Sequence, residues 1–347
     1  MTPSTPSIPG AGAMTTAPDP RTRRRLSFAL ASLPVLLPLR ARAQTYPSRP
    51  ITLVVAFGTG GVTDTLTRMI ARHLSERLKV PVIVENRPGA SQINGIQYVK
   101  TRPADGYTLL VGTGSSLVQN PGVRKDLPYD PDKDFVPVAM IGMQPGVISV
   151  APSVPARTLK ELIDYAKRNP GKLNFGSQGV GSAGHLAAEI FMARTGISMV
   201  HIPLKSDNDI VIELSENRID LAFITPQFAV PLAKEGKQRI LAVTSTDRLP
   251  FLPELPSLNE AGIAALRDLD PFTFYGLVAL AATPPEVVRT VNEQVNEILQ
   301  TPQIAEQMRT TFRVEPRPQS PQAYREFLRA ELDKWRETGA RLNLDTR

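Results

Sequence analysis

The sequence contains no cysteine, which removes disulfides, thiolate nucleophiles, zinc–thiolate sites and any lipid anchor carried on an N-terminal cysteine. Histidine is nearly as scarce. His73, His185 and His201 are the only three in 347 residues, too few for most zinc sites. The longest apolar run, Leu26 to Leu39, covers 14 residues and is interrupted by Pro34 and Pro38, short of the roughly 20 that a membrane-spanning helix needs. No Gly-x-Ser-x-Gly elbow marks a nucleophile, and the phosphate-binding pattern G-x-x-x-x-G-K is absent. These absences leave neither a metal, a cofactor nor a catalytic residue to expect, and the chain reads as a protein that is not an enzyme.

The formal charge of +7 would suggest a nucleic-acid or membrane partner if it were spread over the fold. It is not. Residues 1–43 hold six arginines and one acid, so the 40 basic and 33 acidic residues of the whole chain fall to 34 and 32 beyond Ala43. No nucleic acid is expected to bind. The basic cluster Arg21 to Arg25, the apolar run after it and Ala41-Arg42-Ala43 before Gln44 form a secretory signal peptide. Thr22-Arg23-Arg24-Arg25-Leu26 also fits a twin-arginine signal, so the Sec and twin-arginine routes both stay open. Residues 1–20 carry five prolines and no periodic apolar pattern, and Met14 is a second candidate start codon. Residues 1–43 are therefore read as a disordered extension with a cleaved signal peptide, and the mature protein as periplasmic.

From Tyr46 onward short β-branched runs alternate with helical stretches, the signature of an α/β fold in which mainly parallel sheets are covered by helices. Ile51 to Phe57 reads as a buried strand, and Leu66, Met69, Ile70, Leu74 and Leu78 form one helical stripe after it. Further strand candidates are Val82 to Glu85, Thr108 to Gly112, Val147 to Ala151, Leu173 to Gly176, Met199 to Ile202, Leu221 to Thr225 and Ile240 to Thr244. Thr158 to Glu161 and Ser257 to Glu260 fit capping boxes, Asn169-Pro170-Gly171 stops the first of these helices, and Ser320-Pro321 opens a last one to about Thr338. The length exceeds one comfortable core, so two lobes are expected. With no long linker, the chain should cross between them twice, near Met143 to Val147 and near Phe272 to Gly276. One lobe then comprises 44–144 with 273–347, and the other 145–272.

Three loops rich in glycine and hydroxyls follow strands and can converge on one cleft. In the first, Phe57, Thr59, Gly60, Gly61 and Asp64 precede a helix whose free N–H groups and dipole favour an anion. The second contributes Thr113, Ser115 and Ser116, and the third Ser177, Gly181 and Ser182 with His185 behind them. Neutral N–H and O–H donors of this kind hold a carboxylate without a buried lysine. A nucleotide reading competes because Glu85 ends the second strand, but G-x-G-x-x-G starting at Gly58 would need glycine where Thr63 stands. His185 lies near Ser182 and Glu189 and reads as a structural hydrogen-bonding residue at the start of a helix.

These same stretches resemble the Bug family, the periplasmic solute receptors of tripartite tricarboxylate transporters, from about Tyr46 to Gly339. The likeness is carried by Pro50-Ile51 through Phe57, Gly60-Gly61 with Asp64, Glu85 to Ala90, and Ala104 to Leu110. It continues through Asn120-Pro121, Tyr129 to Pro131 with Asp134-Phe135, Asn169 to Leu173, Gly176-Ser177 with Gly181-Ser182, His185-Leu186, and Leu241 to Ser245. The resemblance implies a two-lobed periplasmic binding protein fold of type II kind. It also implies a small organic carboxylate closed between the lobes by a hinge, and integral membrane permease subunits as partners. The protein should act as a monomer; an exported oxidoreductase with a nucleotide site, or a ligand sensor feeding a signalling partner, are the competing readings. Departures concern the ligand. Phe223-Ile224 stands where the family usually has Phe-Asp, Leu204-Lys205-Ser206-Asp207 replaces Tyr-Lys-Gly-Ser, and Phe274 replaces a Trp. With Ile224 and Thr225 at that place in the cleft and no acid there, an ammonium group would be poorly compensated. The expected ligand is a carboxylate without an amino group; Asp207 and Asp209 are assigned to a helix N-terminus, with an approach to the cleft as a substitute acid left open.

Protein recovered from the periplasm is expected to begin at Gln44. Peptide mass spectrometry of the exported form checks this, and a species retaining residues 21–43 contradicts it.

Overall fold

The computed structural model describes residues 46–249, 252–267 and 272–342; the signal peptide and its cleavage site lie outside the described residues. The chain begins with β1 (Ile51–Val55), α1 (Val62–Leu78), β2 (Val82–Asn86), α2 (Ile93–Lys100) and β3 (Thr108–Thr113). Two short helical turns, α3 (Asn120–Val123) and α4 (Pro131–Asp134), lead into β4 (Phe135–Pro145). A second series follows: β5 (Val147–Val150), α5 (Leu159–Arg168), β6 (Asn174–Ser177), α6 (Ala183–Thr195), β7 (Val200–Pro203), α7 (Asp207–Ser215), β8 (Leu221–Ile224), α8 (Pro226–Lys234) and β9 (Arg239–Val243). The chain then returns through β10 (Phe272–Leu280), α9 (Pro285–Gln300), α10 (Pro302–Gln307), β11 (Glu315–Pro316) and α11 (Pro321–Leu342).

The strands form two sheets, ordered β11-β4-β10-β3-β1-β2 and β7-β6-β8-β5-β9. Each is mixed. The β2-β1-β3 and β7-β6-β8 portions are parallel, as the alternating pattern requires, whereas β4, β10 and β11, and likewise β5 and β9, pair antiparallel. The antiparallel half follows from the two crossings, because a chain leaving one sheet for the other arrives against the direction of the βαβ strands. The crossings fall between Pro145 and Val147 and ahead of Phe272, where the sequence places them. Strand alternation sorts the first sheet's core. Ile51, Leu53, Val55, Leu109 and Val111 pack with α1 and α9, while Val54, Leu110, Phe274 and Val278 pack with α2 and α11.

The eleven-residue strand β4 went unread in the sequence. Pro137 and Gly142 interrupt its apolar run, and the structure accommodates them with register shifts that leave Ile141 and Val138 without direct partners on β10. A second difference concerns Ser257 to Glu260. The reciprocal capping bonds form, Glu260 N–H to Ser257 Oγ at 3.3 Å and Ser257 N–H to a Glu260 carboxylate oxygen at 2.8 Å. The helix does not, because Gly262 turns the chain at φ +69° within one turn. In α5, Thr158 caps the Glu161 N–H as expected, but Glu161 reaches Arg157 N–H rather than that of Thr158. Among the described residues no helix is long and apolar enough to cross a membrane.

Helix α11 carries Tyr324, Leu332 and Trp335 into the core, and the Tyr324 ring meets Phe274 edge-on at 6.4 Å. Its hydroxyl is buried and has no hydrogen-bond partner among the described residues. A buried donor left unpaired costs about 1–3 kcal/mol, so Tyr324→Phe should raise stability by about 1 kcal/mol. Urea unfolding should show a higher midpoint at unchanged slope, and a lower midpoint would mean that the hydroxyl is bonded.

Candidate functional site

The seam between the two sheets holds a cavity of about 100 Å3, walled by the start of α1, the ends of β3, β4, β8 and β9, the first turns of α6 and α7, and β10. One water needs roughly 10–15 Å3 on this measure, so the space takes roughly seven to ten water-sized groups. A small acid fits; a dinucleotide does not.

The first loop is fixed by Asp64, buried at 2% exposure. Its carboxylate accepts the Gly60 N–H at 2.9 Å, Asn86 Nδ2 at 3.0 Å and the Arg68 guanidinium at 2.9 Å. Burial alone pushes the Asp64 carboxyl up, but the hydrogen bonds from Arg68, the Gly60 N–H and Asn86 outweigh it and hold the group below the ordinary carboxylate range. Gly60, at φ +85°, adopts the left-handed turn this latch needs. Asp64 and Gly60 therefore shape the loop and do not line the cavity. Phe57, Thr59 and Gly61 do line it, joined by Gly58, Val62 and Thr63. Gly61 caps α1 without a side-chain bond, and the N–H groups of Val62 and Thr63 have no acceptor among the described residues. They point the positive end of a 17-residue helix at the cavity.

The second loop is half turned away. Thr113 and Ser115 reach the wall, tied together through Gln92 by bonds of 3.0 Å from Thr113 Oγ1 and 2.6 Å to Ser115 Oγ. Ser116 accepts the Thr113 N–H at 2.9 Å and faces inward.

The third loop corrects the sequence reading most. Ser177, Gly181, Ser182 and His185 do not line the cavity. Ser177 Oγ lies 2.7 Å from His201 Nε2, Ser182 caps α6 by accepting the His185 N–H, and His185 Nδ1 accepts the Gly181 N–H at 3.3 Å. The two imidazoles are 4.5 Å apart beside Phe175. Burial, and then the neighbouring His201, push the His185 imidazole down to about 4, so it is neutral and structural. These hydroxyls are consumed by their own backbone, the usual fate of serine at a helix start. The residues that do face the space are Gln178, Ala183, Gly184 and Ala187.

Ile224 and Thr225 line the cavity as expected, and Thr225 Oγ1 is buried with no hydrogen-bond partner among the described residues. Gln144, Gly146, Thr244, Thr273 and Tyr275, at the two crossings, were missed by sequence reasoning because their exposure to the cleft depends on both sheets at once. So were Lys205 and Ser206, while Asp207, which the sequence left open between a helix N-terminus and the cleft, also lines the cavity. Asp209 does help cap α7, its carboxylate accepting from Ser206 Oγ at 2.9 Å, but Ser206 is the capping residue. Asp207 stands one position into the helix, with its side chain in the cavity.

Asp207 is 9% exposed, and Gln178 Nε2, donating at 2.7 Å, is its one hydrogen-bond partner among the described residues. Burial pushes its carboxyl up to about 6, against the lowering effect of Gln178. A raised carboxyl contributes stability below its unfolded value of about 4 and loses it as pH rises through about 6. At neutral pH the cavity wall thus carries an ionised carboxylate with no cationic partner among the described residues. Lys205, also on the wall, is exposed and has no ion-pair partner among the described residues.

Glu85, the acid a nucleotide would use, is paired with Arg87 and accepts Tyr98 OH at 3.0 Å. Among the described residues no cluster of three His, Asp or Glu side chains is placed to hold a metal ion. Across the seam, Asn120 Nδ2 donates to Gly181 O at 2.8 Å and Ser91 Oγ to Val180 O at 2.6 Å, clasping the third loop against the first sheet's side.

Comparison with known proteins agrees with this geometry. Residues 66–344 match the family described as the tripartite tricarboxylate transporter family receptor, TctC. The chain is 32% identical over 305 residues to protein BugT of Bordetella pertussis, covering 86% of this chain and 92% of that one. An R. palustris protein solved with adipate superposes with a TM-score of 0.80 at 35% identity, over 86% of this chain and 98% of the other. MatC from Rhodopseudomonas palustris, with bound malate, gives 0.78 at 27% identity, over 85% and 100%. The chain belongs to the tripartite tricarboxylate transporter receptor family, the Bug or TctC periplasmic solute-binding proteins.

Proposed function

We propose that this protein is an exported, monomeric receptor that closes on a small organic carboxylate between two lobes, 44–144 with 273–347 and 145–272, and hands it to the integral membrane permease of its transporter. The observation that carries this reading is the start of α1. Unclaimed N–H groups of Val62 and Thr63 stand beside the hydroxyls of Thr59 and Thr225 in a cavity of small-molecule size. Such a cradle holds a carboxylate by charge-assisted hydrogen bonds, each worth about 1.5–3 kcal/mol before ordering costs, so three or four suffice for micromolar affinity. The adipate and malate in the two solved relatives support the same ligand class.

Donors on both sheets' elements explain why ligand favours the closed form, since neither lobe alone completes the cradle. The Ser177–His201 pair lies behind the wall, and the residues that face the space are neutral donors, apolar groups, Lys205 and Asp207.

A thermal-shift panel of small mono- and dicarboxylates, with and without an amino group, should include acids that stabilise the protein, by about 2.7 kcal/mol at 100 times their dissociation constant. The shift should be unaffected by a chelator. Stabilisation by none of them would overturn the receptor reading. Thr225→Val should weaken the best acid about fivefold to tenfold, roughly 1–1.4 kcal/mol, without lowering the unfolding midpoint, because the hydroxyl has no partner in the empty protein. Unchanged affinity would remove Thr225 from the site.

A further inference from the structure

Resting on the carboxylate reading above, we propose that the carboxylate this receptor selects is an α-amino acid, whose ammonium group is held by Asp207. The sequence reading had the opposite expectation, because Ile224 stands where an acid is usual. The fold restores the acid from another element. Asp207, at the first turn of α7, is buried in the cavity wall with one neutral hydrogen bond, and its second carboxylate oxygen lies 4.0 Å from where a Gly61 side chain would begin.

That position fixes the chemistry of the nitrogen. Gly61 immediately precedes the Val62 and Thr63 N–H groups that cradle the carboxylate, so the anion cradle and the Asp207 oxygen are neighbours. A ligand bridging both must carry its carboxylate and its N–H donor on adjacent atoms, as an α-amino acid does; an ω-amino acid of several carbons places them too far apart. Among the described residues no protein cation is paired with it. From the first sheet's side Asp207 approaches Gly61, with Asn208 beside Gly60, and its charge acts on the buried Tyr275, whose hydroxyl donates to Gln144 at 2.6 Å. Asp64 is saturated by Arg68 and Asn86, Asp209 is tied to Ser206, and Lys205, the remaining charged group of the wall, is exposed. An unpaired buried carboxylate is costly, and a ligand ammonium relieves that cost where a plain carboxylate would add a second anion beside it.

The test is calorimetry on the exported protein with four matched pairs: aspartate and succinate, glutamate and glutarate, leucine and 4-methylpentanoate, phenylalanine and 3-phenylpropanoate. At pH 7.5 the amino acid of at least one pair should bind at least tenfold more tightly than its deaminated partner. Asp207→Asn, which keeps the shape and the Gln178 contact, should abolish that preference while the deaminated acid binds as well as or better than before. Lowering the pH to 5 should weaken the amino acid roughly tenfold, since Asp207 takes up a proton around pH 6. Three outcomes overturn the proposal: deaminated acids bound as tightly as their amino acids, a preference that survives Asp207→Asn, or deaminated acids that tighten as pH falls, which would make Asp207 a protonated donor. The first and third leave the carboxylate reading standing, whereas binding by no member of any pair, nor by any acid of the wider panel, takes both down.

Discussion

The antiparallel pairing of β4 with β10 is the constraint on which the rest of the molecule depends. It runs from Phe135 opposite Leu280 to Pro145 opposite Phe272, and both strands lead to the points where the chain changes sheets. Because the two crossings are hydrogen-bonded side by side, the sheets are joined at one place and their strand ends face each other across one seam. The pair also builds the cavity floor. Tyr275 OH donates to Gln144, Gln144 Nε2 donates on to Phe312 O, and the Gly146 N–H is held by Thr244 Oγ1 at 2.8 Å. Every polar group at the crossing that has a partner takes it from a neighbouring strand or loop, which leaves the ligand to be recognised by what lies above.

What lies above is governed by two aspartates in contrasting surroundings. Asp64 is as buried as a carboxylate can be, yet three donors satisfy it, and its role is to hold Gly60 so that the start of α1 faces the seam. Asp207 is nearly as buried and has one donor. The same side chain is thus saturated in one place and left with a single donor in the other, and the difference is one of partners. The imidazoles of His185 and His201 follow the scaffold pattern: the sequence reads His185 as a structural residue at a helix start, and ring packing and the bond from the Gly181 N–H engage it that way.

Much of the fold was legible before any coordinates. Periodicity placed β1 and α1, the alternating series of both halves and the capped last helix, because each is decided by contacts within a few residues or by a single buried face. The strand β4 escaped because Pro137 and Gly142 break the local pattern, and only pairing along its length with β10 keeps it extended. The helix expected after Ser257 failed for the opposite reason: its start was correctly marked, but Gly262 ended it before propagation could begin.

The candidate site divides along the same line. Sequence alone determined that three small polar loops follow strands, that the first of them opens a helix, and that no cysteine was available for chemistry. These are properties of residue type and spacing. Which atoms of those loops remain free was decided only by the tertiary structure. Ser177, Ser182 and Gly60 spend their polar groups locally, Thr225 keeps an unpaired hydroxyl, and Asp207 turns into the seam instead of capping its helix. A hydrogen-bond donor or acceptor serves a ligand only if nothing nearer has claimed it, and the nearer claimants here, Asp64 for Gly60, the His185 N–H for Ser182 and His201 for Ser177, are brought into reach by how each loop folds on itself and on its own sheet.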